Sequence, residues 1–206
     1  MKWILFFLLF LSLNAYEVKI LDVNNDIATI DKYVKKGVSG VVVCNYEDKE
    51  IICARAISFG KKVKLKIYDN LKNEAFTLPI IHPKKGDKII LAKDYNRILV
   101  ISPNQLEYLK VKEKYKNNII ISSDIFGAFV DDIPTKKEFI NFAKETNIGR
   151  YVFVLDKIYE VDANSFYVLK KYGKTNAKYK EVFFTNYKKE GIKENLLSYY
   201  KTLLKE

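Results

Sequence analysis

His82 is the single histidine in the chain and lies between Ile81 and Pro83. A histidine general base needs an orienting carboxylate and a nucleophile within reach, and a metal site with one imidazole would rest on scattered carboxylates. Asp131 with Asp132, and Asp156 with Asp162, are the residue types of paired acids for glycoside hydrolysis. Pro134 and Asn164 stand close to them, and aspartate in such company serves turns at less structural cost. Ser102 and Asn104, then Ser122, Ser123 and Asp124, then Asp156, fall at the ends of apolar runs. In an open α/β sheet such positions line ligand crevices, and a hydrolase could draw on them, but serine and aspartate there also cap helices. Neither the dinucleotide glycine fingerprint nor the P-loop pattern is present. The residues therefore predict no catalytic group, no metal site and no cofactor.

Cys44 and Cys53 are the two cysteines of the chain. A two-residue turn at Asp48-Lys49 pairs Tyr46 with Ile51 and Cys44 with Cys53, facing each other where antiparallel chains approach most closely. The pair reads as a disulfide in an oxidising compartment or as two buried thiols in a strand pair. The spacing of a redox-active CxxC is absent.

The first fifteen residues settle which compartment is expected. Lys2 supplies a positive start, Trp3 to Leu13 is apolar apart from Ser12, and Ala15 offers a small residue for cleavage. Residues 1–15 therefore read as a secretory signal peptide, too short to span a bilayer. No later run is long and apolar enough to cross a membrane as a helix, so no transmembrane segment is expected in the mature chain. Its destination is the periplasm or the cell surface. The formal charge is +11 over 206 residues, and removal of Lys2 leaves about +10. Export argues against nucleic acid as the partner of that charge. Lysine pairs such as Lys35-Lys36, Lys61-Lys62 and Lys170-Lys171 are dispersed beside turns, where they keep a chain soluble or attract it to an acidic surface.

Hydrophobic residues make up 49% of the chain and aromatic residues 14%, enough for packed cores and too many for a disordered chain. Residues 16–97 alternate in short segments. Glu17 to Ile20 and Ile27 to Ile30 flank Asn24-Asn25 as a hairpin, and Val41 to Val43, Glu50 to Ile57, Val63 to Ile67, an edge strand at Leu78 to Ile81, Lys88 to Leu91 and Arg97 to Ile101 follow. Residues 98–206 mix periods. Ser102-Pro103 starts a helix, Ile119 to Ile121 is a strand, and Thr135-Lys136-Lys137-Glu138 is a capping box. Gly149 is a candidate left-handed cap, Tyr151 to Leu155 a strand, and Ile158 to Val161 with Phe166 to Leu169 a hairpin. A strand at Glu181 to Thr185 and an amphipathic helix through Tyr200 close the chain. The fold class expected is mixed α+β. A small β-barrel or sandwich-like domain at 16–97 precedes a three-layer α/β domain at 98–206, with a partly parallel sheet and a C-terminal amphipathic helix.

The runs Phe59 to Asp69, Lys85 to Val100, Ile148 to Asp156, Tyr159 to Tyr167 and Lys178 to Tyr187 resemble the N-terminal domain family of the bacterial plasminogen-binding proteins PgbA and PgbB, over about Tyr16 to Lys201. The resemblance implies a non-enzymatic envelope or surface protein with host plasminogen as its ligand. The kringles of plasminogen hold a lysine ammonium together with a chain-end carboxylate, and the named members end on lysine. Here Lys205 stands before Glu206, so the expectation moves to internal surrogates, a helical lysine with a carboxylate one turn away. Lys189, Lys193, Lys201 and Lys205 have that spacing and are the ligand-binding candidates, with a solvated helix face as the alternative. A different class of function stays open: a periplasmic envelope scaffold that docks cell-wall glycan or another exported protein through exposed tyrosines.

Overall fold

The computed structural model describes residues 15–68, 80–130, 133–175 and 196–205. The segment expected to direct export, up to residue 14, Leu78 and Pro79 of the strand expected at 78–81, Asp131 and Asp132, the strand expected at 181–185, and Lys189 and Lys193 lie outside the described residues. Within them the chain is mixed α+β, with two sheets and four helices.

The first sheet closes on itself. Its strands are β1 (Tyr16–Asn24), β2 (Ile27–Val34), β3 (Ser39–Tyr46), β4 (Lys49–Ile67) and β5 (Lys88–Leu91). Every neighbouring pair is antiparallel, in the ring order β1-β2-β4-β3-β5. Closure removes the unpaired edges on which a small sheet aggregates. Asn25 takes the left-handed conformation (φ 53°) that turns β1 into β2, as an asparagine at a two-residue hairpin should. The two strands expected at 50–57 and 63–67 are one. β4 bends at Gly60 (φ 80°), pairing its first half with β3 and its second with β2. Val18, Ile20, Ala28, Ile30, Val42, Ala54, Val63, Ile89 and Leu91 fill the interior.

The β3–β4 register differs from the sequence expectation. The turn falls at Glu47-Asp48, with Glu47 at φ 52°, so Tyr46 pairs with Lys49 and Cys44 with Ile51. A bulge after Val42 then inserts Cys53 as the extra residue on β4, which swings its side chain to the inner face. Both cysteines are buried, their Cα atoms are 5.8 Å apart, and their sulfurs are bonded.

The second sheet is open, in the order β10-β9-β8-β6-β7. It is built from β6 (Arg97–Ile101), β7 (Ile119–Ile121), β8 (Arg150–Val154), β9 (Ile158–Asp162) and β10 (Val168–Tyr172). β6 is parallel to β7 and β8, and the remaining pairs are antiparallel. Helix α1 (Gln105–Lys114) lays Val111 and the following Tyr115 on Ile98, Val100, Val152 and Val154. The opposite face receives α2 (Ser123–Phe129), α3 (Lys136–Thr146) and α4 (Leu196–Leu203) through Phe126, Phe139, Phe142 and Tyr200.

Helix ends show which local signals prevailed. The Thr135–Glu138 capping box forms in full. Asn104, not Ser102, caps α1, accepting from the Glu107 N–H at 3.0 Å. Helix α2 has no counterpart in the sequence reading and is capped by Ser122. Asn147, not Gly149, takes the left-handed position after α3 (φ 54°). Gly149 is needed for another reason. A Cβ there would lie 2.1 Å from the carbonyl oxygen of Asp94, so only glycine lets the two chains touch.

The sheets meet around Asp162, which is fully buried. Its carboxylate accepts from the N–H groups of Ser39 (2.8 Å), Asn164 (3.0 Å) and Ser165 (2.7 Å) and from the Tyr95 hydroxyl (2.5 Å). Burial pushes this carboxyl up from its ordinary value, and the donors from Tyr95, Ser165 and Ser39 pull against that. Ser39 begins a ring strand and Asp162 ends a sheet strand, so one carboxylate joins the two. The Ser165 hydroxyl donates to Gly37 O at 2.6 Å, and Leu169 of β10 packs into the ring core.

Candidate functional site

Helix α4 is fixed by its apolar side. Tyr200 is fully buried against Phe139 and Phe153, Leu204 is buried beside it, and the Tyr199 hydroxyl donates to Pro134 O at 3.0 Å. With that side against the sheet, Lys201 and Lys205 emerge on the flank, one helical turn apart. They line a groove of about 570 Å³ with Asp156, Tyr159, Val168, Lys171 and Leu204.

The turn between β8 and β9 delivers the groove's carboxylate. Lys201 Nζ stands 3.3 Å from Asp156 Oδ2, and the Tyr159 hydroxyl donates to Asp156 Oδ1 at 3.1 Å. Burial pushes the Asp156 carboxyl up, but the bonds from Lys201 and Tyr159 outweigh it and hold the group below its ordinary value. Burial and the bond to Asp156 both raise the Tyr159 phenol. Lys171 on β10 places its ammonium 5.6 Å from the centre of the Tyr159 ring. The groove thus presents three ammonium groups around one fixed carboxylate, with an aromatic and aliphatic floor. Such a surface can dock a partner carrying both signs of charge; it holds no nucleophile–base pair.

Of the four lysines singled out by sequence, Lys201 and Lys205 come together here, while Lys189 and Lys193 lie outside the described residues. Asp156, Tyr159 and Lys171 were not read as their neighbours. Lys171 was expected as one of a lysine pair beside a turn, past a strand ending at Leu169; it lies on β10, and the order β10-β9-β8 that brings it toward α4 is a tertiary fact. The strand-end polar groups are engaged locally. The Ser102 hydroxyl donates to Asn104 O at 2.6 Å, Asn104 caps α1, and Ser122 accepts from Asp124 N–H at 3.3 Å. Asp162 belongs to the joint between the sheets, and His82 is exposed. Among the described residues no three of His, Cys, Asp and Glu gather as a metal-binding set, and no helix is long and apolar enough to cross a membrane.

The family model for the N-terminal region of plasminogen-binding protein pgbA matches residues 15–203. The chain belongs to this family. The match takes in both sheets and α4, so the family unit is the whole described fold and not one of its halves. No curated protein and no solved structure matches the chain. The family carries the name of a binding activity.

Proposed function

We propose that this chain is an exported binding protein without catalytic chemistry, directed out of the cytoplasm by residues 1–15, and that it captures plasminogen through lysines at its terminal helix. The observation that carries the reading is the groove shared by Lys201, Lys205, Lys171 and Asp156 in a member of a plasminogen-binding family. A kringle that accepts a lysine zwitterion needs an ammonium and a carboxylate held at fixed separation. In this reading Lys205 supplies the inserted ammonium. Asp156, oriented by Lys201 and Tyr159, supplies the carboxylate, and Lys189 and Lys193 extend the lysine set along the same end of the chain. The test is immobilised plasminogen probed with the wild type, with Lys201→Ala/Lys205→Ala, and with a chain truncated at Gly191, each with and without 6-aminohexanoate. Capture that falls at least tenfold in the variants and is abolished by the analogue supports the mechanism. Capture indifferent to all three refutes it.

A second reading is supported by Tyr33, whose side chain is 77% exposed on the ring. It makes the chain an envelope scaffold whose exposed rings stack on cell-wall glycan or meet another exported protein. Co-sedimentation with purified sacculi and pull-down from envelope extract discriminate it from plasminogen capture.

A further inference from the structure

The outer wall of the ring where β2 meets β4 is rich in lysine. Residues 32–38 and 58–66 contain Lys32, Lys35, Lys36, Lys61, Lys62 and Lys64, among others, and no aspartate or glutamate. The pairing Val34↔Gly60 and Thr29↔Lys62 sets the two stretches side by side. Lys32 donates to Glu17 O at 3.2 Å and Lys35 to Leu169 O, both main-chain carbonyls that leave the positive charge uncancelled. Among the described residues Lys32, Lys35, Lys61 and Lys62 stand in no ion pair. Two carboxylates flank the wall: Asp31 accepts the Lys19 N–H at 2.9 Å and keeps its charge, and Asp26 stands 4.0 Å from Lys64; six or more lysines against these two leave the wall positive.

Two rings sit among these ammonium groups. Tyr33 is 77% exposed and Phe59 38%. A Cβ on Gly60 would lie 3.3 Å from the Tyr33 ring, so Tyr33 lies over Gly60, the neighbour of Phe59. Lys36 holds its ammonium 6.0 Å from the Phe59 ring centre and 4.9 Å from that of Tyr167. Exposed rings beside a row of lysines, of which Lys32, Lys35, Lys61 and Lys62 stand in no ion pair among the described residues, are the pattern of a surface that lies against a charged interface with an apolar interior.

We propose that this wall is a docking face for a bilayer containing anionic phospholipid. Lysines near such a surface are drawn to its negative charge, and an aromatic ring settles at the level of the headgroups. The lysines act as point charges suited to diffuse phosphate charge, with no arginine among them to clamp a sulfate or phosphate bidentately. An uncharged glycan would use Tyr33 and leave the lysines without a role. A soluble polyanion would use the lysines and leave both rings in water. The proposal is independent of plasminogen capture, since none of its residues lines the α4 groove.

The experiment is co-sedimentation of the full chain with vesicles of phosphatidylcholine alone and of one part phosphatidylglycerol to three parts phosphatidylcholine. The apolar segment at residues 3–13 partitions into either, so the quantity read is the excess on phosphatidylglycerol. The wild type should show a clear excess that falls as salt is raised. Lys61→Glu/Lys62→Glu should lower that excess at least tenfold with an unchanged circular dichroism spectrum. Lys112→Glu/Lys116→Glu, on α1 and in the turn that follows it, an equal change in net charge, should lower it less than twofold, and Tyr33→Ser should reduce it severalfold. Equal losses from the two charge reversals would show attraction by net charge alone and overturn the face. So would the absence of any excess, or binding to sacculi or heparin with none to vesicles.

Discussion

The ring and the open sheet are each about five strands wide and are stabilised by opposite means. The ring pairs every strand on both sides, fills its interior with aliphatic side chains, and adds one covalent staple between β3 and β4. The open sheet packs Phe126, Phe139, Phe142, Tyr151, Phe153, Phe166 and Tyr200 into one cluster on one face and buries a charged pair. Arg150 Nη1 lies 2.8 Å from Glu160 Oε2, with both side chains nearly sealed from solvent. The Tyr115 hydroxyl donates to the other Glu160 oxygen at 2.7 Å, and Arg150 Nε donates to Tyr95 O at 2.9 Å. A closed ring satisfies its backbone internally and needs only filling. An open sheet depends on helices held against it by ring contacts, and on polar pins that fix strand order. The two halves should therefore fail in different ways.

The largest expected effect tests the aromatic cluster. Phe139 is fully buried, with ring centres of Phe126, Tyr151, Phe153 and Phe166 between 4.4 and 5.5 Å away. Phe139→Ala should cost about 3–5 kcal/mol in urea denaturation, through lost transfer energy and the cavity left behind. A cost below about 1 kcal/mol would mean that α3 is not the keystone of that face. Next comes the buried pair. Arg150→Met leaves the Glu160 carboxylate without its cation and should cost about 3 kcal/mol, while Arg150→Met/Glu160→Leu should recover most of that loss. A double variant no better than the single one would assign the cost to the Arg150 bond with Tyr95 O instead.

The staple sharpens the contrast from the side of the ring. Its loop spans a sequence separation of 9, so chain entropy alone predicts about 2–3 kcal/mol. Reductant should lower the wild-type denaturation midpoint accordingly and leave Cys44→Ala/Cys53→Ala unmoved. Equal sensitivity to reductant in both proteins would exclude the bond as the source.

Much of this contrast was legible in the residues. Alternating segments located β1, β2 and β5, the β-branched run Val41 to Val43 located β3, and the capping box located α3, because those signals are local and the tertiary fold agrees with them. The family resemblance covered nearly the span that the family model matches. What escaped was decided by distant partners. The Cys44–Cys53 register slipped because a bulge costs one residue that no local pattern announces. Gly149 read as a helix cap because its true neighbour, Asp94, is far away in sequence. Asp162 read as a turn aspartate, which it is through the N–H groups of Asn164 and Ser165. Its bond to Ser39 across the joint needed the fold. The groove was half legible: helical spacing gave Lys201 and Lys205, whereas Asp156 reached them only through the docking of α4.

The smallest effect belongs to that groove and separates it from the buried pair at Arg150. The Asp156 carboxyl is held below its ordinary value in the folded chain, so its pair with Lys201 contributes stability that is present above the unfolded carboxylate value, near pH 4, and is lost as pH falls through the depressed folded value. Both side chains are more than one-third exposed, 37% for Lys201 and 43% for Asp156, so solvent screening keeps the contribution below about 1 kcal/mol. Lys201→Met should therefore be slightly less stable than wild type at neutral pH and equal to it at strongly acidic pH, as read from paired urea titrations at the two conditions. Raising the salt concentration at neutral pH should shrink the same difference. A difference that persists in acid would assign the loss to the packing of the Lys201 stem on the groove and not to its charge, and would leave Asp156 without the cation that orients it.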